Sequence, residues 1–407
     1  MLFRSSTYYQ ENTPKYSALR LASFIAKTKK IPCILGTATP LVADYYLAKK
    51  SSSYIPLTVK AKPTATPPSI SLIDLKNRDN FTKNRYFSDA LLTKIKENLE
   101  NGRQTLIFHN RRGSAPLTLC EHCGYEALCP NCFLPLTLHS DSFSLVCHVC
   151  GHSLRVPASC PDCGTPGLLH KGFGTKLLES ELKKLFPSAT LARFDADNKK
   201  SETLDALYGD VRSGAINILI GTQTLAKGLD LPHLATVGVV RADAGLALPD
   251  FAAEEKTFHL LTQVIGRVGR GHLSDTSVII QTFQPDHPVL RFAIKNDYSS
   301  FADYLLRLRK KQSFPPYFFL ARLSISAKTE STAVRKIREA ARLISAHPAA
   351  TNLSLSPPTP VFHERSAAGF SWQLILKSPS RAPLLEVLSS LPSRLSAHLT
   401  LDPPSLL

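Results

Sequence analysis

Residues 216–232 read "INILIGTQTLAKGLDLP", and the class of the whole chain follows from them. Four of the first five residues are aliphatic, a run short enough for a buried strand. The run then breaks on Gly221, small hydroxyl residues, Gly228 and the triplet Asp230-Leu-Pro. A strand ending in such a loop suits the carboxyl edge of a parallel sheet, where ligands bind. Working outward, similar runs recur at "TLIF" (105–108), "LARF" (191–194), "TVGVV" (236–240) and "SVIIQT" (277–282). Helical patterns fill the gaps, as in 175–186, where Leu178, Leu182 and Leu185 share one face. This alternation predicts an α/β fold with a parallel, helix-covered sheet from Ile70 to Asp286.

The 407 residues exceed one domain, and two to four are expected. Forty-nine basic against 32 acidic residues leave a net charge of +17, which argues against an acidic enzyme of small neutral metabolites. It favours a polyanion partner, nucleic acid before an anionic membrane surface. No apolar run approaches the ~18–20 residues of a membrane helix. Met1–Gln10 lacks the apolar core of a signal peptide, so a cytoplasmic chain is expected, and disulfides are not the expected use of its nine cysteines.

Eight of those cysteines form four Cys-x-x-Cys pairs: Cys120/Cys123, Cys129/Cys132, Cys147/Cys150 and Cys160/Cys163. A two-residue gap lets both thiolates of a tight turn face one ion, and zinc takes four in a tetrahedron. Two structural Zn²⁺ ions are expected, and spacing alone leaves the pairing of the pairs open. A redox array is disfavoured, because redox pairs come singly and open a helix. Six histidines lie in 109–171 (His109, His122, His139, His148, His152, His170), and they are expected at the surface or behind the ligands. The formal charges of that segment balance, so the module is expected to offer a shaped contact surface and not an electrostatic clamp.

Basic zones flank the module. Residues 1–60 carry nine basic and two acidic residues, and "KAKPTATPPSIS" (60–71) reads as a linker. From Ser299 the pattern becomes α+β, with 14 basic and six acidic residues. Ser300 and Asp303 suggest a capping box before Phe301, Tyr304, Leu305 and Leu308. Strand-like runs at Leu320–Ala327 and Trp372–Lys377 flank a basic helix around 331–345.

Downstream of the opening stretch stands "QVIGRVGRG" (263–271). A helix there would place Gln263, Arg267 and Arg270 on one face. Gly266 and Gly269 would leave room for another backbone or a phosphate. Two fixed guanidiniums suit a transferring phosphoryl group.

"GTQTLAKGLDLP" and "QVIGRVGR" resemble motifs V and VI of superfamily 2 helicases. With four cysteine pairs inserted, the chain resembles the primosomal protein N′ (PriA) family of replication-restart DNA helicases. "YYQENTPKYSALRLA" (8–22), "LGTATP" (35–40, motif III), "FHNRRGSAP" (108–116), "GFGTK" (172–176), "RFDAD" (193–197), "FPPY" (314–317), "GFSWQLILK" (369–377) and "LDPPSLL" (401–407) extend the likeness end to end. The resemblance implies a RecA-like helicase lobe, with Cys120, Cys123, Cys160 and Cys163 on one zinc and Cys129, Cys132, Cys147 and Cys150 on the other. It implies ATP and Mg²⁺ as cofactors, with Gln263, Arg267 and Arg270 facing the γ-phosphate. Gly228 and Asp230 would couple nucleotide to DNA. Implied partners are fork DNA, primosome proteins and single-stranded DNA-binding protein. The corresponding domains are a lobe-1 remnant (1–60), the start of lobe 2 (61–116), the zinc insertion (117–168), the remainder of lobe 2 (169–298) and a C-terminal DNA- or partner-binding domain (299–407).

The departures matter as much. No G-x-x-x-x-G-K-[ST] and no D-E-x-H occurs, and "GFGTK" has the wrong spacing for a phosphate loop. Lys176 and Arg241 stand where the family favours acids. Met1 falls just upstream of motif III, so the chain is expected to be a C-terminal half, as a short product or part of a split gene. Two expectations compete: a helicase acting on stalled forks, or a non-catalytic zinc protein that binds DNA and docks partners. A zinc-ribbon transcription or RNA-processing factor leaves "QVIGRVGR" unexplained.

Overall fold

The computed structural model describes residues 9–10, 16–57, 66–109, 118, 120, 122–131, 134–139, 142–166, 168, 174–195, 203–222, 225, 230–246, 248–269, 273–366 and 369–406, and of 9 and 362–366 the backbone alone. Its central element is a six-stranded, fully parallel sheet. The strands are β1 (Ser69–Asp74), β2 (Gln104–Phe108), β6 (Leu191–Phe194), β7 (Ile218–Gly221), β8 (Leu234–Val239) and β9 (Ser277–Thr282), in the order β1-β9-β8-β2-β7-β6. Three short module strands, β3 (Thr137–His139), β4 (Ser144–Val146) and β5 (Ser153–Arg155), intervene in the chain.

Continuous apolar runs build this sheet because both faces are covered. Leu106, Phe108, Leu219, Val237, Val239 and Ile280 point to one core. Ile107, Ile218, Ile220 and Ile279 point to the other. Helices α3 (Asp89–Glu100) and α4 (Thr175–Leu185) bury Leu91, Leu92, Ile95, Leu178 and Leu182 against the second face. The first face takes α5 (Tyr208–Ser213), α6 (Ala253–Ile265), α7 (Pro288–Lys295) and α8 (Tyr298–Lys311). There Phe258 stacks on Phe301 at 4.0 Å.

Helix α1 (Ala18–Lys29) leaves Leu21, Phe24 and Ile25 exposed, whereas α2 (Val42–Lys50) sends Val42 and Tyr45 into the first core. Pro40, at the end of "LGTATP", has its carbonyl 3.1 Å from His259 Nε2 and accepts from Tyr298 Oη at 3.0 Å. The Val42 amide and Arg309 both donate to buried Glu255.

The tail is a separate antiparallel sheet of β10 (Phe319–Ala327), β11 (Ser354–Leu355), β12 (Thr359–Ser366), β13 (Gly369–Ser378) and β14 (His398–Leu401). Ala321, Leu323, Ile325, Leu374 and Leu376 meet α9 (Glu330–Ala346) and α10 (Arg381–Ser389) on one face. Leu320 and Ile375, one residue out of phase, face the cysteine module. Among the described residues no helix is long and apolar enough to cross a membrane.

Three expectations need correction. Helix α8 starts at Tyr298 and is capped by Asp297, whose carboxylate accepts from the Ser300 amide at 3.0 Å, so Ser300 lies inside the helix. The linker read at 60–71 runs into β1, whose Ser69 and Ser71 lie exposed on an edge strand. The module therefore interrupts the sheet after two strands, β1 and β2, where the apolar runs of the sequence place only "TLIF" ahead of it.

Candidate metal centres and the sheet edge

Three of the four cysteine pairs close as the same turn. The amides of Gly124, Gly151 and Gly164 each donate at 2.9 Å to the carbonyl of the leading cysteine, Cys120, Cys147 and Cys160. These glycines hold φ of +78°, +75° and +71°, a region L side chains rarely enter, which is why glycine follows each pair. The leading amides then bond five residues ahead, Cys120 to Tyr125, Cys147 to His152 and Cys160 to Thr165. Cys129 repeats this to Leu134 at 2.8 Å, while Cys132 lies outside the described residues.

The turns assemble into two clusters. Cys120, Cys123, Cys160 and Cys163 place their sulfurs within 4.8 Å of one another, with 3.7 Å from Cys120 to Cys163 and 3.5 Å from Cys123 to Cys160. Cys129, Cys147 and Cys150 form the second, with 3.4 Å from Cys129 to Cys150. A tetrahedral zinc with Zn–S near 2.3 Å has S···S edges of about 3.8 Å. Both sets fit that ion, and no described cysteine is in a disulfide. Electrostatics agrees with the geometry. Without a cation, burial pushes the Cys123 thiol up to about 12, whereas hydrogen bonding to Thr165 draws exposed Cys163 down to about 5. Zinc lets all four be thiolates at once.

Among the described residues no histidine joins either cluster, and His148 and His109 are buried. Burial holds His148 down to about 4, so it is neutral. Its Nδ1 lies 2.6 Å from the Pro360 carbonyl, which can only accept. Nε2 is thus the acceptor facing His139 Nε2 at 3.3 Å. The His148 carbonyl takes bonds from Thr359 Oγ1 (3.0 Å) and Gln373 Nε2 (3.1 Å). This histidine seats the module on the C-terminal sheet.

The opposite flank of the module meets the parallel sheet. Glu126 Oε2 accepts from Gln284 Nε2 at 2.8 Å, and its Oε1 is buried with no partner among the described residues. Burial first, then Asp243, pushes this carboxyl up to about 7. Asp243 accepts from Thr282 Oγ1 (2.7 Å), the Phe283 amide (2.9 Å) and Arg241 Nε (3.2 Å). Arg241, conspicuous in the sequence as a base, therefore pairs within its own "RADAG" turn.

The arginine motif departs from expectation. Helix α6 ends at Ile265, Gly266 caps it, and Gly269 has φ +71°. Arg267 is buried in the turn beyond the cap, so it does not share a helical face with Gln263 in the last turn of α6. Two glycines four and one residues after Ile265 are strong helix stops, and they win over the i, i+4, i+7 spacing. A Cβ on Gly269 would lie 2.8 Å from Pro68 and 3.2 Å from the Thr66 carbonyl, so another backbone does approach there. Arg270 and Gly228 lie outside the described residues, and Asp230 follows β7 as half-buried chain. Sequence reading also missed a network after β6: Arg193 bonds Glu179 at 2.9 Å, and Asp195 accepts from both Arg193 and Thr175. It joins the "GFGTK" and "RFDAD" stretches.

Two family descriptions match, the helicase conserved C-terminal domain at 173–272 and the PriA DNA helicase Cys-rich region domain at 129–155. Replication restart protein PriA of Bacillus subtilis is 35% identical over 392 residues, covering 95% of this chain and 48% of the relative. That of Haemophilus influenzae is 36% identical, covering 94% and 52%. That of Synechocystis is 32% identical, covering 99% and 50%. The chain spans about half the length of the curated relatives it matches. The structure of S. cerevisiae Dbp5 bound to RNA and ADP BeF3 aligns over 71% of this chain and 58% of its own at 15% identity, with a TM-score of 0.31.

Proposed function

The chain belongs to the replication restart protein PriA family, and from that premise we propose that it binds branched DNA at halted forks and serves primosome assembly. The observation that carries this reading is the wedge. A two-centre zinc module joins a parallel helicase-type sheet on one flank to a basic antiparallel domain on the other. Such a wedge holds two nucleic-acid-facing bodies in a fixed relation. The charge of 299–407 and of 1–60 supplies affinity without sequence choice. We assign the lobe-1, lobe-2, insertion and C-terminal boundaries as the motifs suggest. DNA, primosome proteins and single-stranded DNA-binding protein are the proposed partners, in the cytoplasm.

Of the nucleotide chemistry, Gln263, Arg267 and Arg270 would face the γ-phosphate, and Gly228 and Asp230 would couple it to DNA. ATP with Mg²⁺ would supply the energy for strand separation when bound. The amides, lysine and carboxylate that orient a phosphoryl group elsewhere have no counterpart motif in these 407 residues. The chain by itself is therefore proposed to bind DNA without turning over ATP. The helicase reading keeps second place on the match at 173–272.

The test measures DNA binding and DNA-stimulated ATP hydrolysis on the purified chain. Salt-dependent binding with no hydrolysis is expected. Hydrolysis restored by a separate polypeptide bearing a phosphate loop, and lost again with Arg270→Ala, supports the site assignment. Robust hydrolysis by the chain alone, abolished by that same change, returns the enzyme reading to first place.

A further inference from the structure

At the carboxyl end of β1 the chain makes a loop, 75–88, before α3. It carries Lys76, Arg78, Lys83 and Arg85 against a single acid, Asp79. Arg78, Phe81, Thr82, Lys83, Asn84 and Arg85 line an open concavity of about 360 Å³. No motif in the sequence marks it.

Buried and half-buried polar groups hold this loop in shape. The Asp89 carboxylate accepts from the Thr82 amide (3.0 Å), Thr82 Oγ1 (2.8 Å) and the Lys83 amide (3.2 Å). Asn84 Oδ1 accepts from the amides of Tyr86 (2.8 Å) and Phe87 (3.3 Å), and its Nδ2 donates to Glu181 at 2.9 Å. Gln281, inside the sheet, accepts from the Ser88 amide at 2.8 Å. Phe81 forms the floor with Leu75 and Phe283 beneath it. The Asp89 carboxylate is thus held by backbone and hydroxyl donors, while Arg78, Lys83 and Arg85 are exposed.

We propose that this concavity is a preformed seat for a phosphodiester of a nucleic-acid strand crossing the carboxyl edge of the sheet. Three cations on a loop whose backbone is already held can neutralise a backbone phosphate with only their side chains left to order at binding. The opening is shallow, with its aromatic floor covered, so it suits a strand passing over it better than an enclosed nucleotide. Lys76, at the start of the loop, lies against the Gly124 turn of the cysteine module, so a strand seated here would run beside the module. The proposal rests on the DNA-binding reading above and adds a location to it.

The test titrates a fluorescent forked DNA into the full chain over a range of salt. The variant carrying Arg78→Gln, Lys83→Gln and Arg85→Gln is expected to bind roughly tenfold more weakly near physiological salt, with the log–log salt slope shallower by about 1–2. A matched variant, Arg335→Gln, Arg338→Gln and Arg342→Gln on exposed α9, removes the same charge elsewhere and should lose less. Asp89→Ala is the sharper probe. It removes a negative charge, so bulk electrostatics makes binding tighter, whereas a loop that needs its scaffold binds about threefold or more weakly. Zinc content and thermal melting establish that each variant is folded. Equal losses in the two triple variants, tighter binding by Asp89→Ala, or loss of inorganic phosphate binding with DNA affinity intact each overturn the proposal. If the unaltered chain fails to bind DNA even at low salt, the DNA-binding reading itself falls.

Discussion

The two cysteine centres share chemistry and differ in what surrounds them. Around Cys120, Cys123, Cys160 and Cys163 the apolar company is small, Leu168 and Tyr125, and Cys163 is exposed. Around Cys129, Cys147 and Cys150 it is a joint core. Leu134, Leu136, Leu145 and Val149 of the module pack with Phe314, Leu320, Ile375 and Leu406 of the tail. The outer centre closes a turn on itself, while the inner one is part of the seam between two bodies. Identical ligand sets can thus carry different structural consequences, decided by the burial around them.

The largest expected effect is at the seam. Cys147→Ser should leave one zinc per chain and release the tail sheet from the module. Structural zinc is worth ~10–16 kcal/mol in finger peptides, at or above the whole stability of many domains. Limited proteolysis should then cut readily ahead of β10. Two bound zincs, or an unchanged cleavage pattern, would break the comparison.

Cys163→Ser should also cost one zinc, but the damage should stay local. Hydrogen exchange is expected to rise in 118–125 and 159–166 and to remain slow in β10 and β13. Fast exchange in both strands would mean the centres are not separable.

Glu126, between Cys123 and Cys129, sharpens the opposite flank. Its carboxyl sits at about 7 in the folded chain against 4.5 ordinarily, so between those values the folded state holds a proton the unfolded state has released. Stability should therefore fall as pH rises through that window and level off above it, at no more than about 1.4 kcal/mol per pH unit. Glu126→Gln should remove this slope relative to the unaltered chain. Parallel stability–pH curves for the two proteins would show that the carboxyl does not titrate there.

The smallest effect is expected from His148→Ala. It removes the contacts that His148 makes with the Pro360 carbonyl and with His139, at a cost of about 1–2 kcal/mol. Both zincs should stay. A loss of zinc in this variant would make the histidine part of the metal centre and not of the seam.

What could be read in the sequence follows from burial. Strands buried on both faces, such as Ile218–Gly221 and Ser277–Thr282, are built on consecutive aliphatic residues and stand out. Edge strands do not. "SISLID" alternates serine with aliphatic residues and lies beside a Pro/Thr-rich run, so it reads as linker. Short His398–Leu401, at the other sheet's edge, likewise leaves no clear pattern. The cysteine pairs are legible because the turn is local, and the grouping came only with the family likeness. His148 could not be placed, since Pro360 is 212 residues away. The arginine motif misled because a glycine four residues on from Thr262 ends α6 before the spacing can act.

The module enters between Phe108 and Thr175, in a connection of 66 residues joining a central strand to the next helix. Loop closure grows only as the logarithm of length, so replacing a turn of ordinary size by this one costs the folding chain about 2 kcal/mol. Metal binding returns several times that. The carboxyl edge of such a sheet is therefore a place where a lineage can acquire a whole metal-folded body in one insertion, without retuning the strands on either side.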